Sequence, residues 1–585
     1  MTISADIIII GGGTAGLVLA ARISENPAVQ VLVLEAGQDQ TSNSRVLTPA
    51  LWPALVASDS DWKFMTEPQA ALDGKQIPQP QGRMLGGTSA VNGMAFIANS
   101  KANINAWEAL GNPEWTWETV SAYDRKSFML TMPSDEKQRE LGLEYVDEKG
   151  LGYPMRTDPF SGHALGGYTN AATIDPRTKS RSYSANAYLL PARERPNLHV
   201  VTGAQVNKIL LDRLFDGEVA TTGVEYTRDG QVSTATARRE VILTAGVYNS
   251  PKLLELSGIG SSSIFSQLNI LVLVDNPNVG ENLQDHPMAG LSYEVQDFIN
   301  TKDDLMRRVP EVVGAAMEDY KSKQSGPFTV GGNYSSALLP LPELSHPETG
   351  TEDLTSILAA TSESQDAHPL ATALTTNLQC LLQDPSEATA GYFTYPAQSD
   401  FRGSGSAVQS ITSKFPENYI TICTLLLHPL SRGTSHITSA NPSDPPQINP
   451  RYLSHPADLE LFARHTRFID AIATSHPLSS MLKPNGKRTP GTPPDLHAVP
   501  LDEVKGYVRG ACKCTFHATS TCAMMPREKG GVVDARLRVW GVKGLRVVDA
   551  SVVPIAPRGN SQSAVYAIAE RAADLIKEDL GLKVV

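Results

Sequence analysis

The chain has 585 residues, with 50 basic against 62 acidic side chains and a net charge of −12. Its length exceeds one ordinary domain and can bury a large core. The acidic balance, with no basic run and no basic patch interleaved with aromatics, argues against nucleic acid or an anionic membrane as partner. Five cysteines, an odd number, do not resemble a disulfide framework.

Residues 7–16 read IIIIGGGTAG. The run Ile7–Ile10 is apolar on both faces, as a parallel strand buried between helix layers should be. Gly11, Gly13 and Gly16 match G-x-G-x-x-G directly after it. Gly11 allows the tight turn, Gly13 lets the backbone approach a pyrophosphate, and Gly16 lets the next helix pack closely on the strand. Thr14 to Ile23 reads as that helix, and its N-terminus offers free N–H groups and a positive dipole end to phosphates. Val31–Leu34 is a second strand, closed by Glu35, which lies 19 residues beyond Gly16. That is close to the spacing of about 20 for the acid that holds ribose hydroxyls, and an acid there disfavours the 2′-phosphate of NADP. The first strand begins by residue 6, which leaves no room for a signal peptide. The stretch 7–21 is too short and glycine-rich to span a bilayer. The expectation is a soluble, cytoplasmic protein with no membrane partner. Asn333-Tyr-Ser is the only glycosylation triplet without proline in the middle.

A glycine-rich loop occupies 80–97, with QGRMLGGTSAVNGMAF inside it. Residues 198–246 carry strand-like stretches, LHVVTGAQVNKILL and REVILTAG, separated by a turn at Asp229-Gly230. Val241–Ala245 reads as a short buried strand, and SPKLLELSGIG as a helix ending at Gly258. The middle, about 290–510, is richer in Ser, Thr, Pro and His, with loops at 340–352 and 484–500, which suits a variable substrate-side domain. LRVVDAS at 545–551 returns to the nucleotide side. A final amphipathic helix runs from about 561 to 578, with Ala564, Val565, Ile568, Ala572 and Leu575 as its apolar stripe.

Near this end stand His517, in FHATSTCAMMP, and Asn560, 43 residues later in PRGNSQSAVYAIAE. Removing a proton from an alcohol oxygen takes a base with a pKa near operating pH, and histidine fits best. The amide of Asn560 can donate to the developing alkoxide and orient the hydroxyl. The bland alternative for Asn560 is a helix N-cap, and most of the 12 histidines are structural, His286 in LQDHP serving as an example. Cys512, Cys514, His517 and Cys522 fall within 11 residues, but C-x-C is cramped for structural zinc, so no metal is expected and these cysteines read as small buried hydrophobes.

With these pieces in order, the chain resembles the glucose–methanol–choline (GMC) oxidoreductase family over nearly its whole length. The stretches are the N-terminal clamp, GRMLGGTSAVNG at 82–93, GVYNSPKLLELSGIG at 246–260, VGENLQDHP at 279–287, SRGTSHITSANPSDPPQINPRYLSHPAD at 431–458 and HATSTCAMMPREKGGVVDARLRVWGVKGLRVVDASVVP at 517–554. The last is most similar to the fungal branch that includes glucose oxidase and aryl-alcohol oxidase. The resemblance implies FAD and an α/β chain, α+β overall. It implies a doubly wound, Rossmann-type FAD-binding domain from 1–155, 198–295 and 517–585, and an intertwined substrate domain, 296–516 with 156–197 contributing, on a large, mainly antiparallel sheet. By position, Thr14, Ala15, Glu35 and Ala36 contact the adenosine and pyrophosphate. Val206 holds the adenine through its backbone, and Asn92, Gly93, Met94 and Ala95 line the flavin. Ala550, Ser561 and Gln562 reach its ribityl chain and ring. His517 is the catalytic base, and Asn560 stands where relatives carry His or Asn.

Three departures from the family pattern bear on this. Ser520 stands where the family usually has Gly, which touches the local backbone shape. The loop after Asn92 reads MAFIANSKANINAW where most members carry an Arg-Gly pair. Val91 stands where some relatives have a His bonded to the flavin, so non-covalent FAD is expected. The implied activity is oxidation of a small-molecule alcohol to an aldehyde or ketone by hydride transfer to FAD, with oxygen or another acceptor taking the electrons. The alternative is a non-redox lyase or cyclase that keeps FAD as a structural element.

Overall fold

Strands that are apolar on both faces need cover on both sides, and here they gather into one parallel core. A computed structural model describes residues 3–140, 159–332, 335–342, 354–360, 369–403, 405–411 and 413–582. Asn333 and Tyr334 of the glycosylation triplet and most of the loop at 340–352 lie outside them. In the first sheet, of eight strands, Ile3–Ile10 lies between Val31–Glu35 and Gln231–Leu243 and runs parallel to both. Val31–Glu35 pairs in turn with Leu198–Thr202, and Gln231–Leu243 with Leu545–Val547, again parallel. Ile7, Ile8, Ile9, Val31, Val33, Val241, Ile242 and Leu243 are all fully enclosed. The helix Thr14–Ile23 packs on this core and spans the residues expected from the sequence.

The segment 198–213, read above as one stretch, is two strands that separate at Gly203, whose φ is +67°. The first completes the parallel core. The second, Ala204–Arg213, enters an antiparallel ribbon with Val219–Arg228 and the early half of Gln231–Leu243. The strand expected at 241–245 is therefore the end of a strand of 13 residues, shared between the ribbon and the parallel core. Asp229 and Gly230 both take positive φ, 50° and 75°, as a two-residue hairpin turn requires.

The second sheet has six strands in the order Lys513–Cys514, Pro287–Glu294, Tyr419–Leu426, Ala390–Tyr395, Ser335–Leu339, Gly166–Thr169, and every pairing in it is antiparallel. Pro287–Glu294 sits inside this sheet, although a boundary at 295 would assign it to the first unit. Its eight residues are all buried, so nothing in its hydropathy distinguishes it from a strand of the parallel core. One face is covered by the helix Pro456–Thr474, where His465 Nδ1 bonds the Tyr392 hydroxyl at 2.8 Å. The opposite face looks into a cavity between the two sheets. Among the described residues no helix is long and apolar enough to cross a membrane.

The C-terminal helix, Gln562–Asp579, read above as amphipathic, is enclosed well beyond its apolar stripe: Ser563 through Lys577 are all buried. It is enclosed by the helices Thr14–Ile23 and Trp117–Lys126, so its charges are met inside. Glu570, fully buried, accepts from Arg22 Nε at 2.9 Å, from Arg22 Nη2 at 2.8 Å and from the Tyr188 hydroxyl at 3.0 Å. Lys126 approaches to 3.4 Å, and Lys577 bonds Glu25 at 2.8 Å. Removing one member of a fully buried ion pair costs about 3–5 kcal/mol; here Arg22 is part-exposed and keeps Glu25 at 3.2 Å, which holds the cost to the lower end of that range. Glu570→Ala is therefore expected to lower unfolding stability by about 3 kcal/mol in urea denaturation, with Glu570→Gln, which keeps hydrogen-bond capacity, closer to wild type. Equal stability of wild type and the Ala variant would remove this pair from the forces holding the helix.

Candidate active site

The cavity begins at the clamp. Gly11 has φ +105°, and a Cβ there would lie 2.6 Å from the Thr244 carbonyl oxygen, so only glycine makes the turn. Gly13 and Gly87 approach each other backbone to backbone at the cavity wall: a Cβ on Gly87 would stand 2.8 Å from the Gly13 Cα. Gly16 is absent from the lining; a Cβ there would stand 2.0 Å from the Gly11 carbonyl oxygen, so its part is the close packing of helix on turn. Glu35 accepts N–H bonds from Gly12 at 2.7 Å and Gly37 at 2.7 Å. Burial pushes its carboxyl up to about 7, against the pull of those two bonds. Thr14, Ala15, Ala36 and Val206 line the same end.

Asn92, Gly93, Met94 and Ala95 line the middle, opposite the start of the C-terminal helix with Ala550, Ser561 and Gln562. Asn92 ties the two sides together. Its Nδ2 donates to Gln562 Oε1 at 2.9 Å, and its Oδ1 accepts from Met94 N at 3.0 Å and Arg181 Nη1 at 2.7 Å. Gln562 Nε2 is left buried without a protein partner. Arg181, fully enclosed, also bonds the Val46 and Ser89 carbonyls, and burial draws its guanidinium down to about 9.

His517 owes its place to strand register. Gln284 pairs with Thr519, and Pro287 with Cys514. Two residues, 285–286, thus oppose four, 515–518, and the excess bulges out. Phe516 takes φ +66° at the bulge, and Phe516, His517 and Ala518 enter the cavity lining. Asp285 secures the backbone, accepting His517 N–H at 3.0 Å and His286 N–H at 2.9 Å on Oδ1, while the Tyr452 hydroxyl donates to Oδ2. Burial raises the Asp285 carboxyl to about 6 despite these donors. His517 Nδ1 stands 3.1 Å from His286 Nδ1, and burial draws its imidazole down to about 4. Ser520, next along the chain, has φ +84°, the left-handed conformation that glycine adopts without strain. The residue differs from the family's usual one, but the backbone shape does not follow the side chain. Met94, at the flavin-side loop, and Phe516, at the bulge, are cavity-lining residues that also take positive φ.

Asn560 lines the cavity. The cap of the final helix is Ser561, so capping does not occupy the amide. Beyond His517 and Asn560 the wall is the open face of the second sheet. Cross-strand register sets Tyr168, Ser336, Phe393 and Cys423 in one row, and Leu338, Gly391, Leu425 and Met288 in the next. Among the described lining residues the carboxylates and ammonium groups are Glu35, Lys252 and Asp549, all at the nucleotide end. Asp549 is saturated by Gly246 N–H, Ser250 Oγ and Ser551 N–H. Among the described residues the sheet end carries no carboxylate, ammonium or guanidinium group.

His286 is not a remote structural histidine; it touches His517. Asp285, Tyr452 and Arg181 were also missed, because their contacts arise from chain segments far apart in sequence. The one local signal was the DH pair inside VGENLQDHP. Cys512, Cys514 and Cys522 are buried, and among the described residues no three His, Cys, Asp or Glu side chains stand together as a metal site.

Comparison with known proteins places the whole chain in one family. Two GMC oxidoreductase family models match, the N-terminal one over residues 5–288 and the C-terminal one over 429–569. The dehydrogenase citC of Monascus ruber is 36% identical over 612 aligned residues, covering 98% of this chain and 96% of that protein. Among solved structures, an FAD-dependent oxidoreductase from Chaetomium thermophilum has 27% identity and TM-score 0.86, covering 99% of this chain and 100% of that one. A fungal aryl-alcohol oxidase shares the fold, with TM-score 0.83, 24% identity and coverage of 99% and 100%. A flavin dinucleotide fits the residues present: Gly11, Gly13 and Gly87 line the cavity with bare backbone that a pyrophosphate can approach, Glu35 retains lone pairs for ribose hydroxyls, and the unpartnered Gln562 Nε2 meets the cavity's middle. The chain belongs to the GMC oxidoreductase family, and it is an oxidoreductase whose fold implies FAD.

Proposed function

We propose that the protein oxidises the hydroxyl of an uncharged, largely apolar small-molecule alcohol to an aldehyde or ketone, with His517 as base and FAD held non-covalently. The observation that carries this reading is that His517 and Asn560 line the same cavity as the glycine clamp and Glu35. FAD supplies the hydride acceptor when bound. His517 has Nδ1 engaged with His286, so Nε2 is the nitrogen that receives the hydroxyl proton. Asn560 donates its amide to the oxygen as charge develops there and sets its orientation. Phe516, Met288 and Leu425 shield the reacting atoms from water. Val91 is buried at the cavity wall and offers no nucleophile for a covalent link. The apolar, aromatic and small side chains that the described residues present at the sheet end support an apolar substrate over a cationic or anionic one, since an unpaired charge against them loses its hydration without a partner.

His517→Ala is expected to slow turnover on the order of 10²–10⁴-fold, or about 3–5 kcal/mol, with FAD still bound; stopped-flow flavin reduction at the wild-type rate would remove His517 from the role. A base drawn to about 4 is neutral and competent above that pH and protonated below it. The rate of anaerobic flavin reduction should therefore be level from about pH 5.5 to 8 and fall towards pH 4. A profile that instead rises through pH 7 points to a different base. In an anaerobic alcohol panel, benzylic and medium-chain primary alcohols are expected to bleach the flavin at lower concentration than glucose or choline; the reverse order overturns the assigned substrate class. Consumption of substrate without bleaching would favour the lyase or cyclase alternative.

A further inference from the structure

We propose that His286 is a positioning residue: it fixes the tautomer of His517, keeping the proton on Nδ1 so that Nε2 meets the substrate hydroxyl as a lone pair. This rests on the base role given to His517 above. The two Nδ1 atoms are 3.1 Å apart with the rings edge to face at 78°. One hydrogen fits between them, so one ring donates and the other accepts. If His286 donated, a neutral His517 would carry its own proton on Nε2 and present a donor to the cavity, which cannot take a proton from an alcohol. If His517 donates, Nε2 is bare.

The surroundings of His286 choose between these arrangements. In the second, His286 carries its proton on Nε2. That atom is buried without a hydrogen-bond partner of its own, and the Leu427 carbonyl lies near enough to favour a proton on the His286 ring. The charged and titratable neighbours agree. Asp285 spends its oxygens on the backbone N–H groups of both histidines and on the Tyr452 hydroxyl. It does not compete for the His286 ring, yet its charge lies beside the pair. His428 stands near enough to oppose a positive charge on His286, and burial opposes it further. A proton taken up at His517 Nε2 therefore stays on His517, and its Nδ1–H already points at His286. No hydrogen bond has to be rebuilt as the imidazolium forms.

The test uses the FAD-loaded protein and three variants. Asn places Oδ1 near the position of the imidazole Nδ1, whereas Gln and Ala do not. His286→Ala and His286→Gln are expected to slow anaerobic flavin reduction about 10- to 100-fold with substrate affinity and FAD content little changed, and His286→Asn to stay within about 5-fold of wild type. Equal slowing by Asn, Gln and Ala, or no slowing by any, overturns the proposal. Neutron diffraction of deuterium-exchanged wild type provides a readout independent of activity. Deuterium on His517 Nδ1 and His286 Nε2 is the expected result, and deuterium on His517 Nε2 overturns it. A wild type that no alcohol reduces would remove the base role while leaving the deuterium positions to decide the hydrogen-bond order.

Discussion

Residues 284–288 and 513–519 run side by side although His286 and His517 are 231 positions apart. Their pairing is fixed at both ends, by Gln284 against Thr519 and by Pro287 against Cys514. Between these points the two lengths of chain differ, and the surplus has to leave the ladder. It leaves towards the cavity, carrying Phe516 and His517 with it. Asp285 pins the bulge by accepting from the backbone of both histidines. The same pairing closes the second sheet at its edge strand, Lys513–Cys514, next to Pro287–Glu294. A reactive side chain, a strained backbone and a sheet edge are thus consequences of one register.

The charge layout follows from burial. A parallel core and a covered antiparallel sheet leave a deep cavity in which an unpaired ion is costly. At the clamp end, Glu35 and Asp549 each collect backbone N–H groups. At the sheet end the described residues offer no such donor array and no formal charge, and the wall is two rows of apolar, aromatic and small side chains. His517 lies between these environments. Burial holds it neutral, which is the form that accepts a proton, and the uncharged sheet end keeps a competing counter-ion away. Coupling between the halves runs through Asn92 and Gln562, which join the glycine-rich loop to the last helix.

Much of the clamp was legible in the chain. Ile7–Ile10, the three glycines, the helix Thr14–Ile23 and Glu35 lie close together in the chain, so their geometry follows from local rules of strand, turn and helix; the structure repeats the helix bounds and extends the strand back to Ile3. The C-terminal helix was legible in extent but not in surroundings. Its stripe of Ala564, Val565, Ile568, Ala572 and Leu575 is real, yet Glu570 and Lys577 are buried as well, because partners on other helices neutralise them. Pro287–Glu294 was misplaced since a strand buried on both faces carries no mark of which sheet it joins.

What the sequence determined by itself was therefore the local chemistry: a phosphate-binding turn, an acid at ribose distance, an imidazole and an amide near the end of the chain, and too few basic groups for a nucleic-acid surface. The tertiary structure decided what those groups face. His286 became the partner of His517, Arg181 the anchor of Asn92, and the sheet face an uncharged wall, through contacts between segments separated by tens to hundreds of residues. Periodicity and spacing report only on neighbours along the chain; which distant groups meet depends on strand register and on how buried charges find their partners, and both are settled only when the whole chain packs.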